Sequence, residues 1–190
     1  TWHALERHVN LHVATFEPDP RNAKLLRQSA KQWKAPNLLI YSLAASNKTG
    51  QATFTQDLLS SATGSLDQSE TSFAERHYSQ QPRNIEVSTT TLDIATRDMP
   101  PPLLVKIDVE GHESEVLEGA EQMLEVHRPI LMIESFGVRA QAIWARLAPL
   151  GYKFLDADTG QNTRSETMNH LCVNPQKTKP ILLSRLAEKG

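Results

Sequence analysis

Three short apolar runs in this chain end in an acid: LHVATF leads to Glu17, LLVKI to Asp108 and ILMI to Glu134. Short apolar runs bounded by turn residues read as buried strands. In an open α/β sheet the carboxyl ends of the strands gather at one edge, and ligands bind just outside it. The three acids are therefore expected to share one crevice. An acid after a strand is also a common N-cap for the next helix, so each alone has a structural explanation. Asp19 is the better cap at the first site, which leaves Glu17 without a structural task.

Read in order, the chain alternates. A helix ends near residue 10, with Trp2, Leu5 and Val9 on one face. Residues 11–16 form a strand. Asp19 followed by Pro20 starts a helix that runs to Trp33 and carries Leu26, Ala30 and Trp33. Residues 37–45 are the next strand, and after an NKTG turn residues 51–55 fold back as its partner. Residues 56–84 are polar and long for a connection, which reads equally as a disordered surface loop or as a substrate-facing lid with Ser60, Ser61 and Ser65 as candidate contacts. A strand and short helix at 85–95 lead through three prolines to the strand at 103–108. A helix over 113–127 follows, with Val116, Leu117, Ala120, Met123 and Leu124 at helical spacing. Then come a strand at 128–137, a helix over 138–150 stopped by Gly151, and an antiparallel pair over 152–174.

Alternating β and α units predict an α/β fold: a mostly parallel sheet with helices on both faces, closed by a C-terminal antiparallel strand pair. Residues 1–175 are expected to form a single domain, and 176–190 a tail. The first residue is Thr and the first glycine is Gly50, so the chain is expected to be truncated at its N-terminus.

Composition narrows the function. A net charge of −2 and no basic face argue against a nucleic-acid partner. No apolar run is long enough to span a bilayer, so no membrane partner is expected, and the cytoplasm is the default compartment. The lone cysteine, Cys172, excludes an internal disulfide framework and reads as core. His8 and His12 straddle a helix end and read as surface, and no metal site is expected.

Glu17 has a specific functional reading. In dinucleotide-binding folds an acid at the end of the second strand receives the ribose hydroxyls, about 20 residues after a glycine-rich turn. Counting back from Glu17 puts that turn before residue 1, so the first strand is also expected to lie off the front of the chain. The spacing alone does not separate a nicotinamide cofactor from another nucleoside.

FEPDP, YSLAAS, TTTLD, KIDVEGHESEVLEGA and ILMIE, in this order, resemble the FkbM family of S-adenosylmethionine-dependent methyltransferases over residues 13–136. The resemblance implies a Rossmann-like methyltransferase fold. It implies S-adenosyl-L-methionine as cofactor and O-methylation of a hydroxyl on a small molecule, sugar or natural product. By position it assigns Glu17 and the adjoining Pro18 to the ribose end of the cofactor. Leu43, Ala44 and Ala45 fall beside the adenine, and Asp108 beside the transferred methyl group. Strand core is the plainer reading of Leu43 to Ala45.

Methyl transfer to an alcohol needs a base, and Asp108, Glu110, His112 and Glu134 are the candidates. Histidine ordinarily titrates near neutral pH, which recommends His112, although that position also suits an exposed residue in a first helical turn. Glu110 has a competing reading as a helix cap acting through Gly111. The same oxygen-rich set could in principle hold Mg²⁺ or Mn²⁺, but close carboxylates are common without metal. Two other readings stay open: a nicotinamide-dependent oxidoreductase, which leaves KIDVEGHE unexplained, and a truncated or degenerate non-catalytic domain.

Overall fold

The computed structural model describes residues 11–56, 64–66, 83–135, 137–162 and 167–178. The predicted helix near residues 2–10, Ser60, Ser61, most of the predicted lid and the tail after residue 178 lie outside the described residues. The fold is mixed α/β and divides into two compact units, residues 1–90 and 91–190.

In the first unit β1 (Val13–Phe16) and β2 (Leu38–Tyr41) pair in parallel, with Val13 opposite Leu38 and Phe16 opposite Tyr41. The rings of Phe16 and Tyr41 stack at 4.9 Å where the two strands end. Helix α1 (Pro20–Gln32) joins these strands. It starts where the sequence puts it: Pro20 needs no N–H partner, and the Asp19 carboxylate accepts the Arg21 N–H at 2.8 Å. Its buried face is narrower than expected, because Ala23 is buried while Trp33 is 53% exposed.

The expected strand at 37–45 is broken at Ser42 and Leu43, and Ala44–Ala45 forms a separate short strand, β3. It belongs to a second sheet with β4 (Gly50–Gln56) and β5 (Arg83–Thr90), in the order β3-β5-β4. Residues 51–55 therefore do not fold back on 37–45. They run antiparallel to β5, which lies between β4 and β3. The NKTG turn is anchored on β5: Ser46 N–H donates to Thr90 O at 2.8 Å, and the Thr89 hydroxyl to Lys48 O at 2.8 Å. Ala44, Phe54 and Val87 form a core cluster here, flanked by Leu66 and Ile85. Ser65 extends the sheet through its backbone, exchanging hydrogen bonds with Thr55.

The second unit holds a four-stranded sheet ordered β6-β7-β9-β8. Strands β6 (Leu104–Ile107) and β7 (Ile130–Glu134) are parallel. β8 (Lys153–Asp156) and β9 (Asn169–Val173) form the expected closing antiparallel pair, with β9 also antiparallel to β7. Among the described residues the strands thus hydrogen-bond as three sheets rather than the one anticipated.

Short helix α2 (Leu92–Ala95) opens this unit. The helix predicted over 113–127 is two helices, α3 (Glu113–Glu118) and α4 (Glu121–Val126). Its buried face is as expected, since Val116, Leu117, Ala120, Met123 and Leu124 are all buried. The break comes from Asp93. Its N–H donates to Gly119 O at 3.0 Å, and its carboxylate accepts the N–H groups of Gln122 and Met123, each at 2.9 Å. Those donors are the ones a new helix start leaves unpaired. Helix α5 (Gly137–Leu147) buries Ala140, Ile143 and Leu147 and ends in a 3₁₀ turn at Ala148–Leu150. Gly151 stops it at φ +82°, a left-handed conformation that favours glycine.

Candidate active site

The carboxyl ends of β6 and β7 form an acidic corner. Ile107 is in register with Ile133, so Asp108 and Glu134 are the next residues on two neighbouring parallel strands. Adjacent strands lie about 4.7–4.9 Å apart, which sets these two residues side by side. Lys106 is two residues before Asp108, hence on the same face of its strand, and its Nζ donates to Asp108 Oδ2 at 2.6 Å. Both groups are partly exposed, so this pair orients the carboxylate more than it stabilises the fold.

After Asp108 the chain turns sharply into α3. Glu110 has φ +52° and Gly111 φ +103°. The left-handed region costs a non-glycine residue roughly 1–2 kcal/mol, so the turn holds Glu110 in place against its own preference. The clamp is Glu113. Its carboxylate accepts the Gly111 N–H at 2.8 Å and also the N–H groups of Val109 and Glu113 itself. Glu113, not Glu110, thus accepts the Gly111 N–H that closes the turn, and no side chain caps the start of α3 at His112. Burial pushes the Glu113 carboxyl up, against those N–H donors and the charge of Arg139.

Glu110 is raised as well. Desolvation is the largest cause, followed by the charges of Asp108, Glu134 and Glu113, with Arg139 opposing. Glu110 thus feels the charges of Asp108, Glu113 and Glu134, and three of the four candidates named from sequence come together here. His112 is half-buried, and its Nδ1 lies 3.6 Å from Glu115 Oε2, its neighbour one turn along α3. Among the described residues no group of three or more His, Cys, Asp or Glu side chains is arranged to hold a metal ion.

Glu134 is backed by a buried framework. Ser135 N–H donates to Met168 O at 2.8 Å, and His170 Nε2–H donates to Ser135 O at 2.9 Å. His170 is fully buried, edge-on to Trp144 at 5.5 Å. Cys172 is core, as expected, and burial pushes its thiol up to about 12.

The first unit presents the other candidate residues. Glu17 follows β1, with its N–H bonded to Tyr41 O at 3.0 Å. It does have a structural task, contrary to the sequence reading: its Oε1 accepts the Asp19 N–H at 2.9 Å. Burial raises the Glu17 carboxyl, the Asp19 N–H opposes, the Asp19 charge adds, and the Asn22 side chain lowers it again. Pro18 is half-buried between the two acids. Ala44 is buried in the cluster with Phe54 and Val87, while Leu43 and Ala45 are half-buried at the break between β2 and β3.

Several residues of these corners escaped the sequence reading. Lys106 carried a usable signal, because two residues along a strand share a face. Glu113 opens the predicted helix over 113–127, where an acid has an ordinary structural explanation. Arg139 and Gln56 act on residues distant in sequence and carried no local signal.

This is a mixed α/β protein that sets carboxylates at the carboxyl ends of parallel strands, where ligands bind in open α/β sheets. More narrowly, the chain belongs to the methyltransferase FkbM domain family, whose sequence profile matches residues 3–154. It is similar in structure to the methyltransferase FkbM of Methylobacillus flagellatus, with a TM-score of 0.55 at 16% sequence identity. That likeness, one of fold, covers 85% of this chain and 36% of the other, so the chain spans about a third of that relative's length. No curated protein matches the chain.

Proposed function

We propose that this chain carries a Rossmann-like, S-adenosyl-L-methionine-dependent methyltransferase domain, over residues 1–175, that methylates a hydroxyl of a small molecule, sugar or natural product. The observation that carries the reading is the acidic corner of β6 and β7 in a chain of the FkbM family.

The β1 corner fits the nucleoside end of the cofactor. A carboxylate is acceptor-only, with about four lone-pair sites. Asp19 and Asn22 occupy part of that capacity on Glu17, and the remainder suits the paired hydroxyls of a ribose. Glu17 and Pro18 would hold the ribose, and Leu43, Ala44 and Ala45 would lie against the adenine. When bound, S-adenosylmethionine supplies an electrophilic methyl group.

The β6–β7 corner supplies what an alcohol acceptor lacks. Its oxygen becomes a competent nucleophile only as its proton leaves. Glu110 is the proposed proton acceptor: its raised carboxyl is a stronger base than an ordinary carboxylate, and its strained turn presents it beside Asp108. Asp108 is the proposed residue beside the methyl group, oriented by Lys106. Glu134 keeps the corner negative and so disfavours ionised Glu110, tuning the base. His112 is paired with Glu115 on α3 and serves as a reserve proton carrier.

The test is calorimetry of the full-length protein with S-adenosylhomocysteine, followed by transfer assays on a panel of sugars and hydroxylated small molecules. Glu17→Ala is expected to weaken binding at least tenfold, about 1.4 kcal/mol. Glu110→Gln is expected to leave that affinity intact and to lower kcat about 100-fold or more. Unchanged affinity in Glu17→Ala removes Glu17 from the site, and wild-type turnover in Glu110→Gln removes the base.

A further inference from the structure

Gln56, at the end of β4, lies outside every motif discussed above. It is a glutamine with 4% exposure, and its Nε2 donates to Asp19 Oδ2 at 3.0 Å. Asp19 is itself 2% exposed and fully engaged. Oδ1 accepts the Arg21 N–H at 2.8 Å and Arg21 Nε at 3.3 Å; Oδ2 accepts the guanidinium of Arg21 at 2.8 Å and the Gln56 amide. Its N–H is the group that Glu17 Oε1 accepts, and its carbonyl accepts the Ala23 N–H at 2.9 Å. Among the described residues every one of these partners but Gln56 comes from the same short segment, residues 17–23. Gln56 ties that segment to the sheet of β3, β5 and β4.

We propose that Gln56 is a positioning residue for the nucleoside site: it fixes Asp19, whose backbone N–H sets the rotamer of Glu17. The chain of contacts is Gln56 Nε2–H to Asp19 Oδ2, then Asp19 N–H to Glu17 Oε1. Without Gln56 the Asp19 carboxylate keeps the Arg21 donors of its own segment, and a buried carboxylate loses a donor that no water can replace cheaply. The carboxylate that meets the ribose then samples more than one direction. This inference rests on the reading of Glu17 as the ribose acid.

A double-mutant cycle in the full-length protein tests it, with S-adenosylhomocysteine binding by calorimetry as the readout and circular dichroism to establish that each variant is folded. Gln56→Met keeps the volume and removes the donor. It is expected to weaken binding about tenfold, the effect of losing a hydrogen bond to a charged group. In a Glu17→Ala background the same change is expected to cost nothing further, because Gln56 acts through Glu17. A merely structural glutamine would lower the unfolding temperature in both backgrounds and leave affinity unchanged in both. Unaltered affinity in Gln56→Met, or losses that simply add, overturns the positioning role. Should Glu17→Ala bind as wild type, the ribose reading itself falls, and the proposal for Gln56 with it.

Discussion

At the scale of single residues, the acid corner shows how burial and charge assign roles that spelling alone does not. Asp108, Glu110, Glu113 and Glu134 are all visible in the sequence as acids near strand or helix ends. Which of them closes the turn depends on a backbone detail: the left-handed pair Glu110–Gly111, held by the Glu113 carboxylate. Glycine at 111 announces the turn, but nothing in the spelling says that Glu110 shares its conformation. The same holds for Glu17, whose contact with the Asp19 N–H is a matter of side-chain direction. The raised carboxyl of Glu110 carries a stability consequence. A carboxyl raised on folding is unpenalised below the ordinary value of 4.5, where it is protonated in both states. Its contribution is lost as pH rises through the higher folded value, because the native state must then hold an extra charge among Asp108, Glu134 and Glu113. Glu110→Gln removes that penalty. Thermal unfolding followed across pH is expected to show wild type falling below Glu110→Gln above 4.5, with the two converging in acid. Parallel curves would mean that Glu110 is free of its neighbours.

At the scale of elements, most boundaries follow from local chemistry and were legible. Asp19-Pro20 starts α1, Gly151 ends the run after α5, and short apolar runs mark β8 and β9. The departures come from partners distant in the chain. The periodicity over 113–127 is continuous, yet Asp93 interrupts it by capping α4 from roughly thirty residues upstream. β4 pairs with β5 rather than with the nearer strand because the turn at residues 46–49 is bonded to Thr89 and Thr90. TTTLD carried part of the family resemblance without an evident purpose; its aspartate now has one. Helix α4 depends on that cap, since Ala120 at its N-cap position contributes no side-chain bond. Asp93→Ala is expected to destabilise the protein by about 1–2 kcal/mol, the usual cost of a lost helix cap. A lowered urea midpoint with faster hydrogen exchange at Gln122 and Met123 would show it, with Asp93→Asn retaining part of the effect. Exchange unchanged at those amides would mean the helix holds without Asp93.

At the scale of the whole molecule, the distribution of glycine decides how much of a cofactor these 190 residues can grip. Sulfonium cofactors and dinucleotides are held at one end by a carboxylate that meets the ribose and at the other by a glycine-rich turn whose backbone N–H groups approach closely. The proposed first end is Glu17, half-buried after β1 and tied to Asp19, with Leu43 to Ala45 at a strand break. The second end has no counterpart among residues 1–49, which contain no glycine. The missing signal was legible from sequence, whereas the integrity of the Glu17 corner was not, because it rests on Gln56 reaching Asp19 from 37 residues away. The imbalance has a measurable outcome. A ligand gripped only at its nucleoside end gains little from its amino-acid end, so this 190-residue chain is expected to bind adenosine and S-adenosylhomocysteine within about threefold of each other. Titration calorimetry of both ligands against the same preparation gives the ratio directly. A preference of tenfold or more for S-adenosylhomocysteine, about 1.4 kcal/mol, would show that other residues of this chain hold the amino-acid end. The backbone N–H groups of its remaining turns would then be the place to look for them.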